Sequence, residues 1–192
     1  MIRRESLLSL EAYAKQRSQF RAKVMEHKKR RTVHLGGNLT LQFEDELTVR
    51  YQVQEMLRIE RIFEEEGIRH ELDAYNPLVP DGGNWKATMM IEYPEPDERR
   101  RMLAALKGIE RRVWVRVGDL DPPVYAIADE DLERENEEKT SSVHFLRFEL
   151  DTAVRERVRD GVPVRVGVDH PHYRAAVELE PEVRAALASD LA

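Results

Sequence analysis

The chain's densest group of metal-ligating side chains lies near its C-terminal end, where Asp169, His170 and His172 follow one another closely. On an extended segment alternate side chains point the same way, so both imidazoles could reach one metal ion. Glu60 and Glu64, from a predicted helix, could complete the ligand set. The pattern predicts a site for a divalent metal or iron. The alternative is a turn in which His170 forms a local hydrogen bond and His172 is exposed.

Other catalytic and cofactor motifs are absent from the sequence. The lack of cysteine excludes disulfides, thiolate catalysis and cysteine-ligated zinc or iron–sulfur centres. Neither Glu-x-x-His nor His-Glu-x-x-His occurs, which argues against a ferritin-like di-iron bundle. The glycine pairs lack the spacing of a phosphate-binding loop, and no serine lies in a nucleophile-elbow sequence. No catalytic residue follows from these patterns, and no cofactor beyond the metal is indicated.

A long helical stretch at residues 45–80 would position the two glutamates. Asp45 is a good N-cap, and Gly67 can adopt the left-handed conformation that ends a helix. Helical spacing places several apolar side chains in one arc: Val49, Val53, Met56, Leu57, Ile59 and Phe63. Glu60 projects from the middle of this arc and Gln52 lies near its edge. The sequence therefore predicts a buried Glu60.

A buried carboxylate needs a partner, which gives Glu60 two interpretations. It could pair with an arginine such as Arg17 or with backbone donors, or it could act as a base or metal ligand. The acidic run 64–66 would lie at the negative end of the same helix. That placement is unfavourable unless a cation such as Arg69 or a basic patch compensates it.

The length of 192 residues predicts a single domain with its own hydrophobic core. Its parts are a basic N-terminal helix (1–31), the central helical stretch (45–80), a strand-rich part (85–180) and a C-terminal helix (181–192). No signal peptide and no apolar run of membrane-spanning length occurs in the sequence. We therefore expect a cytoplasmic protein without membrane contact.

Charge is distributed unevenly along the chain. The net charge is -6, yet residues 1–31 carry ten Lys or Arg against three Glu. We expect this basic segment to dock within the molecule or on another subunit of a homo-oligomer. Nucleic acid is the weaker alternative, because the segment lacks interleaved aromatic side chains. The acidic extreme, Asp129 to Glu138, could recruit a basic partner or bind calcium, but it lacks the ligand spacing of an EF-hand. We therefore expect a solvated or mobile loop, which could also neutralise the basic helix.

Alternating apolar and polar residues predict strands throughout the second half of the chain and just before the central helix. The predicted strands are 32–35, 39–43, 85–93, 111–117, 124–127, 143–150, 164–168 and 173–179. Short turns join many of them, and no strict strand–helix–strand rhythm persists. The fold class is therefore α+β, with a largely antiparallel sheet of about six to eight strands, a long central helix and further helices packed on it.

Four stretches carry a resemblance to a known family: 48–60, 71–78, 139–148 and 169–171. Through them the chain resembles the bacterial domain-of-unknown-function family 3501 over essentially its whole length. The resemblance implies no activity, cofactor or catalytic residue. Family members are often encoded beside rubrerythrin and an iron–sulfur oxidoreductase. This implies a redox or peroxide-defence setting, with these two proteins as partners.

Two functional hypotheses follow. The first is a non-catalytic accessory protein that docks on such redox partners, which the split charge distribution and the lack of cofactor motifs favour. The second is a metal-dependent enzyme or metal carrier that uses Glu60, Glu64, His170 and His172. Other candidate site residues are polar side chains in or beside the same stretches: Gln52, Glu55, Arg58, Tyr75, Asn76 and Asp169.

Overall fold

The computed structural model describes residues 1–128 and 139–192 of the chain. These residues form six α-helices and nine β-strands, which confirms the α+β fold class. The strands divide into two antiparallel sheets, so the expectation of one sheet was too simple. The acidic loop predicted at Asp129 to Glu138 lies outside the described residues.

The helices are α1 (Leu10–Lys29), α2 (Glu46–Glu60), α3 (Glu65–Tyr75), α4 (Pro96–Ala105), α5 (Thr152–Arg159) and α6 (Pro181–Ala188). The strands are β1 (Thr32–Leu35), β2 (Leu39–Phe43), β3 (Asn84–Ile91), β4 (Val113–Val117), β5 (Val124–Tyr125), β6 (Ile127–Ala128), β7 (Val143–Glu149), β8 (Val164–His170) and β9 (Tyr173–Glu178). None of the described helices is long and apolar enough to cross a membrane.

The first sheet has the strand order β1-β2-β3-β7-β6, and the second has the order β5-β4-β8-β9. Alternation along β3 places Trp85, Ala87 and Met89 in the core and leaves Lys86 and Thr88 on the outer face of the first sheet. The valines of β4 and β8 are buried in the same way in the second sheet. Both sheets share one hydrophobic core, to which α4, α5 and α6 contribute.

A second, smaller apolar core lies among α2, α3 and the N-terminal segment. It contains Ile2, Leu7, Val49, Val53, Leu57, Ile68, Leu72 and Val79. Two side-chain amides hold the N-terminal segment in place. Gln54 accepts from the Leu8 N–H at 2.6 Å and donates to its carbonyl at 3.3 Å. Asn76 makes the equivalent pair of bonds to Ile2 at 2.8 and 3.1 Å.

The central helical stretch consists of two helices, but the predicted end of the first helix at Gly67 is wrong. Arg61 adopts a left-handed conformation with φ 55° and ends α2, while Gly67 lies inside α3. The acidic run 64–66 therefore begins α3, where the positive end of the helix dipole favours carboxylates. Arg4 pairs with Glu65 at 2.8 Å.

Candidate functional site

The buried face of α2 differs from the predicted apolar arc. The buried side chains are Thr48, Val49, Val53, Gln54 and Leu57. Glu60 is exposed, so the prediction that it lies inside an apolar stripe is wrong. Two physical reasons explain the difference. The amide of Gln54 can be buried because Leu8 satisfies it, and α2 ends at Glu60 before another turn could cover that side chain.

The structure places the two histidines of the predicted metal site at the tip of the β8–β9 hairpin. His170 is buried, and its Nε2 lies 3.0 Å from the Lys107 carbonyl oxygen. Its Nδ1 accepts from the His172 N–H at 3.2 Å, while the His172 side chain is exposed. Beside them, Asp169 accepts from the Tyr125 hydroxyl at 2.6 Å. Both ring nitrogens of His170 are therefore engaged in hydrogen bonds.

Glu60 and Glu64 lie exposed at the junction of α2 and α3. Within residues 1–128 and 139–192, no group of three or more His, Asp or Glu side chains could hold a metal ion. A metal bound by Glu60, Glu64, His170 and His172 stays a prediction. Elemental analysis of protein purified without a His tag tests it.

Glu55 is the centre of a polar cluster that joins α1 to α2. It accepts from the Tyr13 hydroxyl at 2.6 Å, from Arg17 at 2.7 and 2.9 Å, and from Arg58 at 3.2 Å. Hydrogen bonding from Arg17, reinforced by the Tyr13 hydroxyl and by Arg58, lowers the pKa of Glu55 to about 2. Arg17 thus pairs with Glu55 and not with Glu60, which was one of the partners that the sequence left open.

The basic N-terminal segment makes several ion pairs with other parts of the molecule. Besides Arg4 and Arg17, these include the contact of His27 Nε2 with Asp45 at 2.5 Å. Arg31 is almost completely buried, pairs with Asp190 and donates to the carbonyls of Phe43 and Glu44. The docking of this segment is therefore at least partly intramolecular.

Three other residues that the sequence predicts as site candidates lie outside the Glu55 cluster. Gln52 is partly exposed on α2. Tyr75 packs against the second core, and burial raises the pKa of its hydroxyl. Asn76 holds Ile2 as described above, which is a structural role.

The junction of α2 and α3 carries two large apolar side chains in solvent. Ile59 is 59% exposed and Phe63 is 71% exposed. Glu60, Glu64 and Glu66, which are close to them in sequence, are also exposed. We call these five residues the junction surface. Sequence periodicity assigned its two apolar members to a buried face, so exposure at this point could not be read from the pattern.

A cleft of about 280 Å³ lies on the outer face of the first sheet, beneath the 3-10 turn 76–78. Glu44, Lys86 and Arg147 line it together with apolar side chains. These residues are not among the site candidates that the sequence predicts. The alternation of polar and buried residues in β3 does indicate that Lys86 and Thr88 share the outward face of the sheet.

Two comparisons with known proteins found matches over essentially the whole chain. The model of the family described as "Protein of unknown function (DUF3501)" matches residues 1–191. A solved structure of a novel protein of unknown function from Burkholderia pseudomallei K96243 is 59% identical, with a TM-score of 0.94. The match covers 100% of this chain and 99% of that one. No curated protein matches the chain. The chain therefore belongs to the DUF3501 family of proteins of unknown function.

Proposed function

We propose that this protein is a non-catalytic accessory protein that binds a partner protein through the junction surface. The observation that carries the proposal is the exposure of Ile59 and Phe63, at 59% and 71%. Full burial of a large apolar side chain stabilises a protein by roughly 1.5–3 kcal/mol relative to leaving it in water. Neighbouring exposed apolar side chains with a polar rim are typical of protein interaction sites.

The local backbone directs Phe63 outward. Arg61 holds its left-handed conformation, and both its N–H and that of Ile62 bond to the Leu57 carbonyl. Ile62 then packs on the second core and against Gly67, which leaves the next side chain in solvent. A non-glycine residue with positive φ costs energy, and such conformations cluster at functional sites.

The rim of the junction surface is negatively charged. Glu60, Glu64 and Glu66 form no ion pair with any described residue, whereas Glu65 is paired with Arg4. Arg61 is exposed beside them, and Arg69 is close enough to Glu65 to lower the pKa of its carboxyl, so some opposing charge is present. Charge complementarity favours a partner with an apolar recess and a basic rim.

The redox or peroxide-defence setting comes from the family resemblance, which names rubrerythrin and an iron–sulfur oxidoreductase as the first partners to test. We expect at least one of them to present the complementary surface. The proposal assigns this chain no catalytic step. Its role would be to position or stabilise the partner.

The test is a binding titration with purified rubrerythrin and, separately, with the oxidoreductase. We expect one of them to bind the parent protein and Ile59→Ser/Phe63→Ser to weaken that binding by about tenfold or more. Tyr125→Ser is the matched control, because it also replaces an exposed aromatic side chain, on the second sheet. Absence of binding to both proteins, or equal affinity of the double variant, would overturn the proposal.

A further inference from the structure

Four side chains cross the outer face of the first sheet in one row and line the cleft. The Glu44 N–H donates to the Lys86 carbonyl, so these two residues stand opposite each other on neighbouring strands. Lys86 is paired with Arg147, and Arg147 with Ile127. Directly opposed residues of antiparallel strands project to the same face. Across the sheet the row therefore carries a carboxylate, an ammonium, a guanidinium and an apolar side chain, from Glu44, Lys86, Arg147 and Ile127 in that order.

Glu44 begins the row and is 4% exposed. Its two carboxylate oxygens accept from the hydroxyls of Thr48 and Thr88, at 2.5 and 2.7 Å. Both donors are neutral, and Glu44 forms no ion pair with any described residue. The N-terminus of α2 is close by, but a helix dipole supplies only about half a charge. A buried carboxylate without a cationic partner in the protein is suited to bind a cationic group of a ligand.

Lys86 does not supply that cation, although it stands opposite Glu44. Its ammonium donates to the Pro77 carbonyl of the overlying turn at 2.5 Å. Burial lowers the pKa of Lys86, and the nearby Arg147 acts in the same direction. Arg147 itself pairs with Glu149. The centre of the row therefore holds two cations that Glu149 and Asp81 compensate in part and that form no ion pair with Glu44 among the described residues.

The remaining lining is apolar and the space is small. Leu78, Ile127 and Phe145 contribute to the walls. A volume of about 280 Å³ lies just below the roughly 300–1,000 Å³ that is usual for ligand pockets. Neighbouring strands are about 4.8 Å apart, so the row favours a ligand whose opposite charges are close together.

We propose that this cleft binds a small zwitterion, an α-amino acid with an apolar side chain. Its ammonium would bind the carboxylate of Glu44, and its carboxylate would bind Lys86 and Arg147. The apolar side chain would lie against Leu78 and Ile127. This site is separate from the junction surface and does not depend on the proposed docking function.

Isothermal titration with L-leucine and two analogues tests the assignment. L-Leucinamide lacks the carboxylate, and N-acetyl-L-leucine lacks the ammonium. We expect L-leucine to bind at millimolar or lower concentration. Each analogue should bind about tenfold more weakly, because it loses about one charge-assisted hydrogen bond. These measurements use the unaltered protein, so a folding defect cannot affect them.

Variants then assign each charge to its partner. Lys86→Met should weaken L-leucine binding about tenfold and leave the affinity for L-leucinamide unchanged. Glu44→Gln should weaken L-leucine and leave N-acetyl-L-leucine unchanged. Glu46→Gln, which alters an exposed carboxylate at the start of α2, is the control and should bind like the parent.

Three results would overturn the proposal. The first is no heat of binding with L-leucine at millimolar concentration. The second is equal affinity for L-leucine and both analogues, which would indicate contact through the apolar part alone. The third is binding of inorganic phosphate that depends on Lys86 but not on Glu44, which would indicate a simple anion site.

Discussion

Ile62 Cγ2 lies only 2.7 Å from the position that a Cβ atom would occupy at Gly67. The glycine inside α3 is therefore required by the packing of the junction, even though glycine is a poor helix former. Because Ile62 turns inward here, Phe63 is left in solvent. The contact thus connects the fold of the second core to the surface that we propose binds a partner.

Gly67→Ala should destabilise the protein. Alanine inside a helix normally gains about 1 kcal/mol over glycine, but here its methyl group would displace a β-branched side chain. We expect the free energy of unfolding in urea to fall by about 1–2 kcal/mol. Gly37→Ala is the control, since no atom lies near its Cβ position. A gain in stability for Gly67→Ala would show that Ile62 is free to move.

Arg61→Gly should stabilise the protein by about 0.5–1 kcal/mol, because glycine adopts a positive φ without steric cost. Arg58→Gly, one turn earlier and inside α2, should instead destabilise it by about 1 kcal/mol. Urea unfolding of both variants measures the contrast. Equal losses would mean that Arg61 is not held in the left-handed conformation in solution.

Glu55→Gln should reduce stability at neutral pH by on the order of 2 kcal/mol, since Arg17 and Tyr13 lose a charged acceptor. The pKa of Glu55 is about 2 in the folded state and ordinary, near 4.5, when unfolded. Its stabilisation is therefore complete above about pH 4.5 and is lost as the pH falls towards 2.

Urea unfolding at about pH 7, 6, 4 and 3 follows this loss. The difference in the free energy of unfolding between Glu55→Gln and the parent should be constant above about pH 5 and should shrink at lower pH. Glu60→Gln changes an exposed carboxylate and should match the parent throughout within about 0.5 kcal/mol. A difference in the free energy of unfolding that does not depend on pH would contradict the assigned pKa of Glu55.

Gln54→Leu should release the N-terminal segment. The Leu8 N–H and carbonyl would lose their partners, at a cost of about 2–4 kcal/mol. Amide hydrogen exchange at Leu8 should accelerate strongly. Gln52→Leu, on a partly exposed part of the same helix, should leave that exchange unchanged. Slow exchange at Leu8 in Gln54→Leu would mean that the second core alone holds the segment.

Local sequence signals predicted many of the elements well. The β1–β2 hairpin has its predicted bounds, and Asp45 caps the helix that follows it. Each of these features depends on residues that are close in sequence, where turn and capping chemistry is decisive. The same reasoning could not divide the strands between two sheets, because that division depends on distant pairings such as β3 with β7.

The errors at the candidate sites have the same origin. Helical periodicity identified an apolar arc but could not show that Arg61 would end α2 or that Leu8 would satisfy a buried Gln54. The charged row of the cleft joins Glu44, Lys86 and Arg147 from three separate strand regions. Only the folded sheet brings such residues together.

The central claim is that the junction surface binds a partner, and hydroxyl-radical footprinting of the complex with rubrerythrin or the oxidoreductase tests it most directly. Phe63 is 71% exposed in the free protein and should be oxidised readily. In the complex its oxidation should fall strongly, because residues at the centre of an interface are shielded from water, while that of Tyr125 stays unchanged. A stable complex in which Phe63 reacts as fast as in the free protein would contradict the claim.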